Sequence, residues 1–244
     1  MTTIGRDPAA PRSTGTKAAF VSAMFTRIAG RYDLMNSLMT GGRHHAWRRQ
    51  IARAVAAAPA GPVLDLATGT GDLALAIRQA DPRRVVVGAD FSGGMLAQAR
   101  AKLRAHAERM IGLVAADAQI LPFRDRSFAA LTSAFLLRNL EDVEGGLREM
   151  RRVTRPGGLV LTLDIVRPDT PLWGPLFGLY FHRVVPVIGS IVAGDRNAYT
   201  YLPDSVDHFA TPDELVHLME RAGLRDITYR RLALGTIAVH AAFA

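Results

Sequence analysis

From Ala18 to Ala57 the apolar positions return every three or four residues. Phe20, Met24, Phe25 and Ile28 predict one helix, Leu34, Leu38 and Met39 a second, and Trp47, Ile51 and Val55 a third, with breaks at Gly30 and Gly41-Gly42. After Pro59-Ala60-Gly61-Pro62 the rhythm changes. Short apolar runs, Val63–Ala67, Arg84–Asp90, Ile111–Ala115, Phe128–Ala134 and Leu159–Val166, alternate with helical stretches ending near Ala80, His106 and Thr154. Strand, helix, strand in series predicts an α/β fold whose mostly parallel sheet carries helices on both faces. Arg167 to Ala210 breaks the alternation with Trp173, Phe177, Tyr180 and Phe181 among prolines and glycines, and reads as a helical insertion over the ligand edge of the sheet. Thr211-Pro212-Asp213-Glu214 then offers an N-cap and a first-turn proline for a last helix, which Gly223 ends. Two β-like runs follow, Ile227–Leu232 and Thr236–Phe243. The expected organisation is a disordered tail over residues 1–17 and one domain over 18–244, with a helical arm (18–58) and the insertion (167–210).

Composition narrows the chemistry. With 244 residues, 49% hydrophobic and 21% charged, the chain can bury a full core. It has no cysteine, which excludes disulfides, thiolate metal sites and cysteine nucleophiles. The net charge of +8 comes from 28 arginines and only two lysines, Lys17 and Lys102. No basic run of five residues occurs, so a nucleic-acid partner is not expected. Residues 1–16 lack the apolar core of a signal peptide, and His182-Arg183 interrupts the apolar part of the insertion well short of the roughly 20 residues of a membrane span. The expected compartment is the cytoplasm.

The densest chemistry lies at Val63-Leu64-Asp65-Leu66-Ala67-Thr68-Gly69-Thr70-Gly71-Asp72. A buried strand ending in Gly-x-Gly before a helix brings a ligand close to backbone amides. Asp90 ends the second strand, where a carboxylate can accept from ribose hydroxyls. Asp117, between Ala116 and Ala118 at the third strand's end, can accept from an adenine amine beside small neighbours. Nicotinamide dehydrogenases and S-adenosylmethionine-dependent methyltransferases share this geometry. Neither lysine lies four positions after a tyrosine, as a short-chain dehydrogenase would need, and Asp65 just before the glycines would repel a pyrophosphate but attract an amino group. The terminal strand pair suits the antiparallel hairpin of a class I, Rossmann-like methyltransferase with seven strands. After the fourth strand, Ala134-Phe135-Leu136-Leu137-Arg138-Asn139 lacks the Asn/Asp-Pro-Pro-aromatic signature of enzymes that methylate nucleic-acid amines.

Several separated motifs carry a family resemblance. Tyr32-Asp33-Leu34-Met35-Asn36, the Asp65 to Asp72 segment, Leu137-Arg138-Asn139, Arg152 to Gly158, Tyr199-x-Tyr201-Leu202 and Ala238-Val239-His240 resemble the ubiquinone/menaquinone biosynthesis C-methyltransferases. The resemblance implies S-adenosylmethionine as cofactor, S-adenosylhomocysteine as product, and the ring carbon of a polyprenyl quinol, demethylmenaquinol foremost, as acceptor. It implies cofactor roles for Thr70, Asp90, Asp117 and Ala118 beside the motif residues Asp65, Gly69 and Gly71. Two stretches depart from the family's wording: Ala134-Phe135-Leu136 replaces Ser-Phe-Gly, and Asp164-Ile165-Val166 replaces Glu-Phe-Ser.

Carbon methylation of a quinol requires orientation and charge stabilisation but no metal. Arg138 is the candidate to stabilise the quinolate, with Tyr32 and Asn139 aligning the ring. His44-His45 cannot share one ion, because adjacent helical residues point about 100° apart, so no metal site is expected. The insertion reads as a cover or groove for the prenyl tail, with Arg167 and Arg183 facing the phosphates of an anionic membrane. A homodimer is left open. Two other functions remain in view, a methyltransferase for another lipid or phenol and a catalytically silent cofactor-binding subunit.

Overall fold

The computed structural model describes residues 17–167, 177–192 and 196–244. The tail expected over residues 1–17 therefore lies outside the described residues except for Lys17, as does the first part of the insertion. Three helices open the chain: α1 (Lys17–Ile28), α2 (Tyr32–Thr40) and α3 (Arg43–Ala56). Then come β1 (Val63–Leu66), α4 (Asp72–Ala80), β2 (Val86–Asp90), α5 (Gly93–Ala105), β3 (Ile111–Ala115) and β4 (Phe128–Ala134). A short 3-10 turn at Leu137–Asn139 leads to α6 (Val143–Val153) and β5 (Thr154–Ile165). A π-helical turn, Tyr180–Val184, precedes α7 (Val185–Val192) and α8 (Arg196–Asp207). The chain closes with α9 (Pro212–Arg221), β6 (Arg225–Leu232) and β7 (Ile237–Phe243).

The seven strands run in the order β3-β2-β1-β4-β5-β7-β6. The first five are parallel, and β7 is antiparallel to both its neighbours, with Leu159 opposite Phe243 and Ile165 opposite Ile237. Successive strands are laid outward from β1 in both directions, so the chain reverses order between β1 and β4. The crevice at the carboxyl ends of those strands is where such sheets bind ligands. Apolar side chains fill both faces. Val63, Val86, Ala130 and Leu161 pack beneath α3 and α4, while Leu64, Leu131, Val160 and Ala238 pack on the other side with Leu147, Met150, Leu215 and Met219.

Local sequence explains the boundaries. Ser92 and Asp142 accept from the backbone N–H of Met95 and Gly145 and start α5 and α6. Thr211 and Glu214 form a reciprocal capping box with Pro212 at the first helical position of α9. Arg84 is buried and joins the arm to the sheet. Its guanidinium donates to the carbonyls of Val55, Pro59 and Ala58 at 3.1, 2.6 and 2.6 Å, satisfying acceptors that the end of α3 leaves open. In α2 the apolar periodicity misleads: Leu34 and Leu38 are 53% and 51% exposed, and Met35 is the residue that enters the core. The strand expected from Leu159 begins five residues earlier, at Thr154.

Candidate active site

β1 ends in a left-handed bend at Ala67 (φ 57°) and a loop with Gly69 (φ 57°) and Gly71 (φ 86°). The left-handed backbone at Gly71 is what calls for glycine there; a Cβ would meet Ala99 Cβ only at an ordinary contact distance of 3.5 Å. The loop is fixed from both sides. Asp90 accepts from Gly69 N–H through Oδ2 and from Ser92 N–H through Oδ1, each at 2.8 Å. Burial pushes the Asp90 carboxyl up, and these amides work against it.

Above the loop opens a cleft of about 760 Å³, lined by Leu66, Gly69, Asp90, Ala116, Asp117 and Ala118 and covered by Val21, Ser22 and Phe25 of α1. Its apolar walls with a few carboxylates suit a nucleoside. The Asp90 carboxylate takes backbone N–H groups from Gly69, Ser92 and Phe91 and still keeps acceptor capacity for a ribose hydroxyl, while small Ala116 and Ala118 leave a slot for a flat ring. Asp117 accepts from Gln119 N–H at 2.9 Å and lines the same slot. These residues fit an adenosyl group.

Two expected cofactor residues sit otherwise. Asp65, 1% exposed, accepts from the hydroxyls of Thr68 (2.7 Å) and Thr132 (2.8 Å), and burial raises its pKa to about 6. It floors a small hollow below the glycine loop and does not line the large cleft. Thr70 faces away from the large cleft as well. Its hydroxyl donates to Asp33 Oδ1 at 2.7 Å and accepts from Lys102 Nζ at 3.0 Å, within a cluster that Arg48 and Asp72 complete.

A second cleft, about 640 Å³, adjoins the first. Phe25, Tyr32, Phe135 and Asn139 line both, so these four side chains form the boundary between them. The second cleft continues between Met24, Ile28 and Met39 of the arm and Ala198, Tyr199 and Leu202 of α8. The three candidate catalytic residues all line it. Arg138 is 6% exposed and donates through Nη1 to Asp164 Oδ1 at 2.5 Å. Asp164, 2% exposed, also accepts from Leu137 N–H (2.7 Å) and Ile165 N–H (3.0 Å). Burial pushes the Asp164 carboxyl up and the Arg138 guanidinium pulls it back. The guanidinium lies 5.6 Å from the Phe135 ring centroid. Asn139 donates to Phe135 C=O at 3.0 Å. Desolvation raises the Tyr32 phenol above its ordinary value, keeping it protonated.

The sequence pattern passed over several side chains that shape this site. Lys17 of α1 donates to the carbonyls of Arg138 (3.1 Å) and Leu140 (2.8 Å), tying the arm to the turn after β4. Thr26 and Ser92 hydroxyls meet at 2.9 Å and fasten the same helix to α5. Asp164 pairs with Arg138 across 26 residues, and Asn36 and Tyr201 line the second cleft. The scarcity of lysine was a usable signal, since Lys17 and Lys102 both hold the arm to the domain. No group of three metal-binding side chains occurs among the described residues. Arg167, expected to face lipid, is engaged by Glu214 at 3.2 Å.

The model of the ubiE/COQ5 methyltransferase family matches residues 13–244. The chain is 43% identical to a demethylmenaquinone methyltransferase of Roseiflexus castenholzii over 92% of this chain and 93% of that one. Against the enzyme of the same name from Deinococcus radiodurans it is 42% identical, over 96% of each. It is also 41% identical to the ubiquinone/menaquinone biosynthesis C-methyltransferase of Desulfotalea psychrophila, over 92% of this chain and 90% of that one. Among solved structures, a Thermotoga maritima S-adenosylmethionine-dependent methyltransferase superposes with a TM-score of 0.65 at 16% identity, covering 91% of this chain and 98% of that one, which supports the fold alone. The fold is the class I methyltransferase fold, and the chain belongs to the ubiE/COQ5 methyltransferase family.

Proposed function

We propose that this chain methylates a ring carbon of a polyprenyl quinol, with demethylmenaquinol as the preferred acceptor and menaquinol as the product. The observation that carries the proposal is the pair of adjoining clefts with Tyr32, Phe135 and Asn139 on their boundary and a buried, carboxylate-held arginine on the acceptor side. The likeness to demethylmenaquinone methyltransferases supports the naphthoquinol.

Asp90, Asp117, Ala118 and the Gly69 to Gly71 loop would hold S-adenosylmethionine, which supplies an electrophilic methyl group when bound. Asp65 would act on its amino group from below the loop, and Thr70 would fix the loop's shape. On the acceptor side, Arg138 would stabilise negative charge on the ring oxygen as its proton leaves to water, which raises electron density at the attacking carbon; that carbon's own proton leaves to water once it has taken the methyl group, and the ring regains aromaticity. Asp164 holds the guanidinium in place. Tyr32 and Asn139 align the ring, and Phe25 and Phe135 exclude water from the junction. An amine acceptor, which develops positive charge on methylation, would gain nothing from a cation fixed in an apolar cleft.

The acceptor's tail leaves the second cleft between arm and insertion. Leu34 and Leu38 of α2, and Leu179 and Val184 of the insertion, expose large apolar side chains; Val184 follows the exposed Arg183, and α2 touches α7. No helix among the described residues is long and apolar enough to cross a membrane. We assign this face to contact with an anionic bilayer surface, from which the quinol enters. Co-sedimentation with anionic vesicles tests it: Leu34→Glu/Leu38→Glu should release the protein, and equal binding by wild type and variant would remove the assignment.

The function itself is tested by label transfer from S-adenosylmethionine to chemically reduced demethylmenaquinol in detergent, beside a benzoquinol and a control without acceptor. Label on the naphthoquinol ring is expected. Label on neither ring, from protein shown to bind S-adenosylhomocysteine, would refute the proposal.

A further inference from the structure

The second cleft contains more buried polar atoms without partners than one ring hydroxyl can satisfy. Among the described residues, Arg138 Nε, Asn139 Oδ1, Asn36 Nδ2 and Tyr201 Oη are buried and make no hydrogen bond, and all four residues line this cleft. Buried polar groups in folded proteins are overwhelmingly paired, so a set of four orphans around one cavity points to a ligand that pairs them. Arg138 Nε and Asn36 Nδ2 are donors, Asn139 Oδ1 is an acceptor, and Tyr201 Oη can be either. A single aryl hydroxyl donates once and accepts at most twice, which leaves one of the four unmet. Two ring hydroxyls satisfy all of them.

The four atoms divide by origin. Arg138 and Asn139 stand on the turn after β4, where the reacting ring oxygen is stabilised. Asn36 comes from α2, one turn on from Tyr32, on whose phenol it also bears, and Tyr201 comes from α8; neither has a role in the methyl-transfer reading. Phe20 of α1 packs edge-on against the Tyr201 ring at 5.6 Å, which restrains where its hydroxyl can point. Burial raises the Tyr201 phenol above its ordinary value, with Arg138 opposing, so the hydroxyl is neutral and able both to donate and to accept.

Resting on the quinol reading above, we infer that Asn36 and Tyr201 bind the second oxygen of the acceptor ring, so that this site selects rings with two oxygens over rings with one. They are specificity-determining residues for the reaction, and their contribution falls on acceptor binding. The selectivity is of the kind that a hydrogen-bonding pocket imposes on a ligand lacking the hydroxyl, whose absence strands the pocket's own polar groups.

The test uses the full chain at saturating S-adenosylmethionine with two acceptors of equal tail, a prenylated 1,4-naphthalenediol and the corresponding prenylated 1-naphthol. Wild type should prefer the diol. Tyr201→Phe and Asn36→Leu should each lower the diol-to-naphthol ratio of kcat/KM by about tenfold, mainly through KM for the diol. Calorimetric titration with the methylated diol in detergent and S-adenosylhomocysteine should show a matching loss of affinity. Thermal melts identify a variant that fails to fold, in which case the other carries the test. A ratio equal to that of wild type overturns the inference alone, and so does a loss shared equally by both acceptors, which is what a merely structural side chain would give. Wild type that binds S-adenosylhomocysteine but methylates neither ring removes the quinol reading and this inference with it.

Discussion

Arg138 and Asp65 are charges that the fold uses in opposite ways. Arg138 is held by Asp164, lines the second cleft and leaves its Nε without a partner, so its removal should reach turnover before cofactor binding. Because Arg138→Gln alone would strand a buried carboxylate, the useful variant is Arg138→Gln/Asp164→Asn. Its kcat should fall about 10²- to 10³-fold, while affinity for S-adenosylhomocysteine stays within about threefold. Equal losses would show that Arg138 serves only the fold. Asp65 has a pKa near 6, raised by burial against the pull of Thr68 and Thr132. If the cofactor's amino group is drawn to it, the ionised form must bind better, so affinity should decline as pH falls through about 6 and the step should vanish in Asp65→Asn. Binding isotherms between pH 5 and 8 decide it. At this scale the sequence was informative where a residue's backbone neighbourhood dictates its role: Gly69, Gly71 and Asp90 are where strand-turn-helix chemistry puts them. It was silent where the partner is remote, since nothing adjacent to Arg138 announces Asp164, and nothing near Asn36 announces Tyr201.

Elements were legible where one face is buried and misread where the burial is unusual. β3 and β4 run over Ile111–Ala115 and Phe128–Ala134 as their apolar runs predict, and α9 starts at the expected cap. α2 defeats the same logic because Leu34 and Leu38 lie outward, and apolar spacing alone does not distinguish a core from a surface that meets another apolar phase. α3 carries a pH-sensitive element of stability in His44, which is 1% exposed, bonded through Nδ1 to Thr40 Oγ1 at 2.8 Å, and depressed to about 4 by burial and then by Arg48 and His45. A depressed histidine favours the folded state above its unfolded value near 6.5, and that advantage is lost as pH falls from there to about 4. The loss amounts to roughly 3 kcal/mol. Urea midpoints for wild type and His44→Asn should therefore diverge at pH 7 and converge towards pH 4; parallel curves would refute this account.

At the scale of the whole molecule, the arm covers one side of the site. α1 lies over the larger cleft and is fastened by Lys17 to the turn after β4 and by Thr26 to Ser92, while a Cβ on Gly94 would come within 2.8 Å of Thr26. A ligand held in this cleft should therefore hold the helix down. Binding of S-adenosylhomocysteine should slow amide exchange in Lys17–Ile28 by about tenfold or more, with Lys17→Met weakening the protection; uniform protection across the sheet but none in α1 would exclude a moving arm.

The Lys17 contacts also set a timetable for synthesis. Lys17 emerges from the ribosome early, but the carbonyls it binds belong to Arg138 and Leu140, 121 and 123 residues further on. At about 5–20 residues per second the first helix waits roughly 6–25 s for its anchor. During that interval Phe20, Met24 and Phe25 have no cleft to cover, so the nascent arm is an adhesive segment that a chaperone or the membrane surface is free to hold.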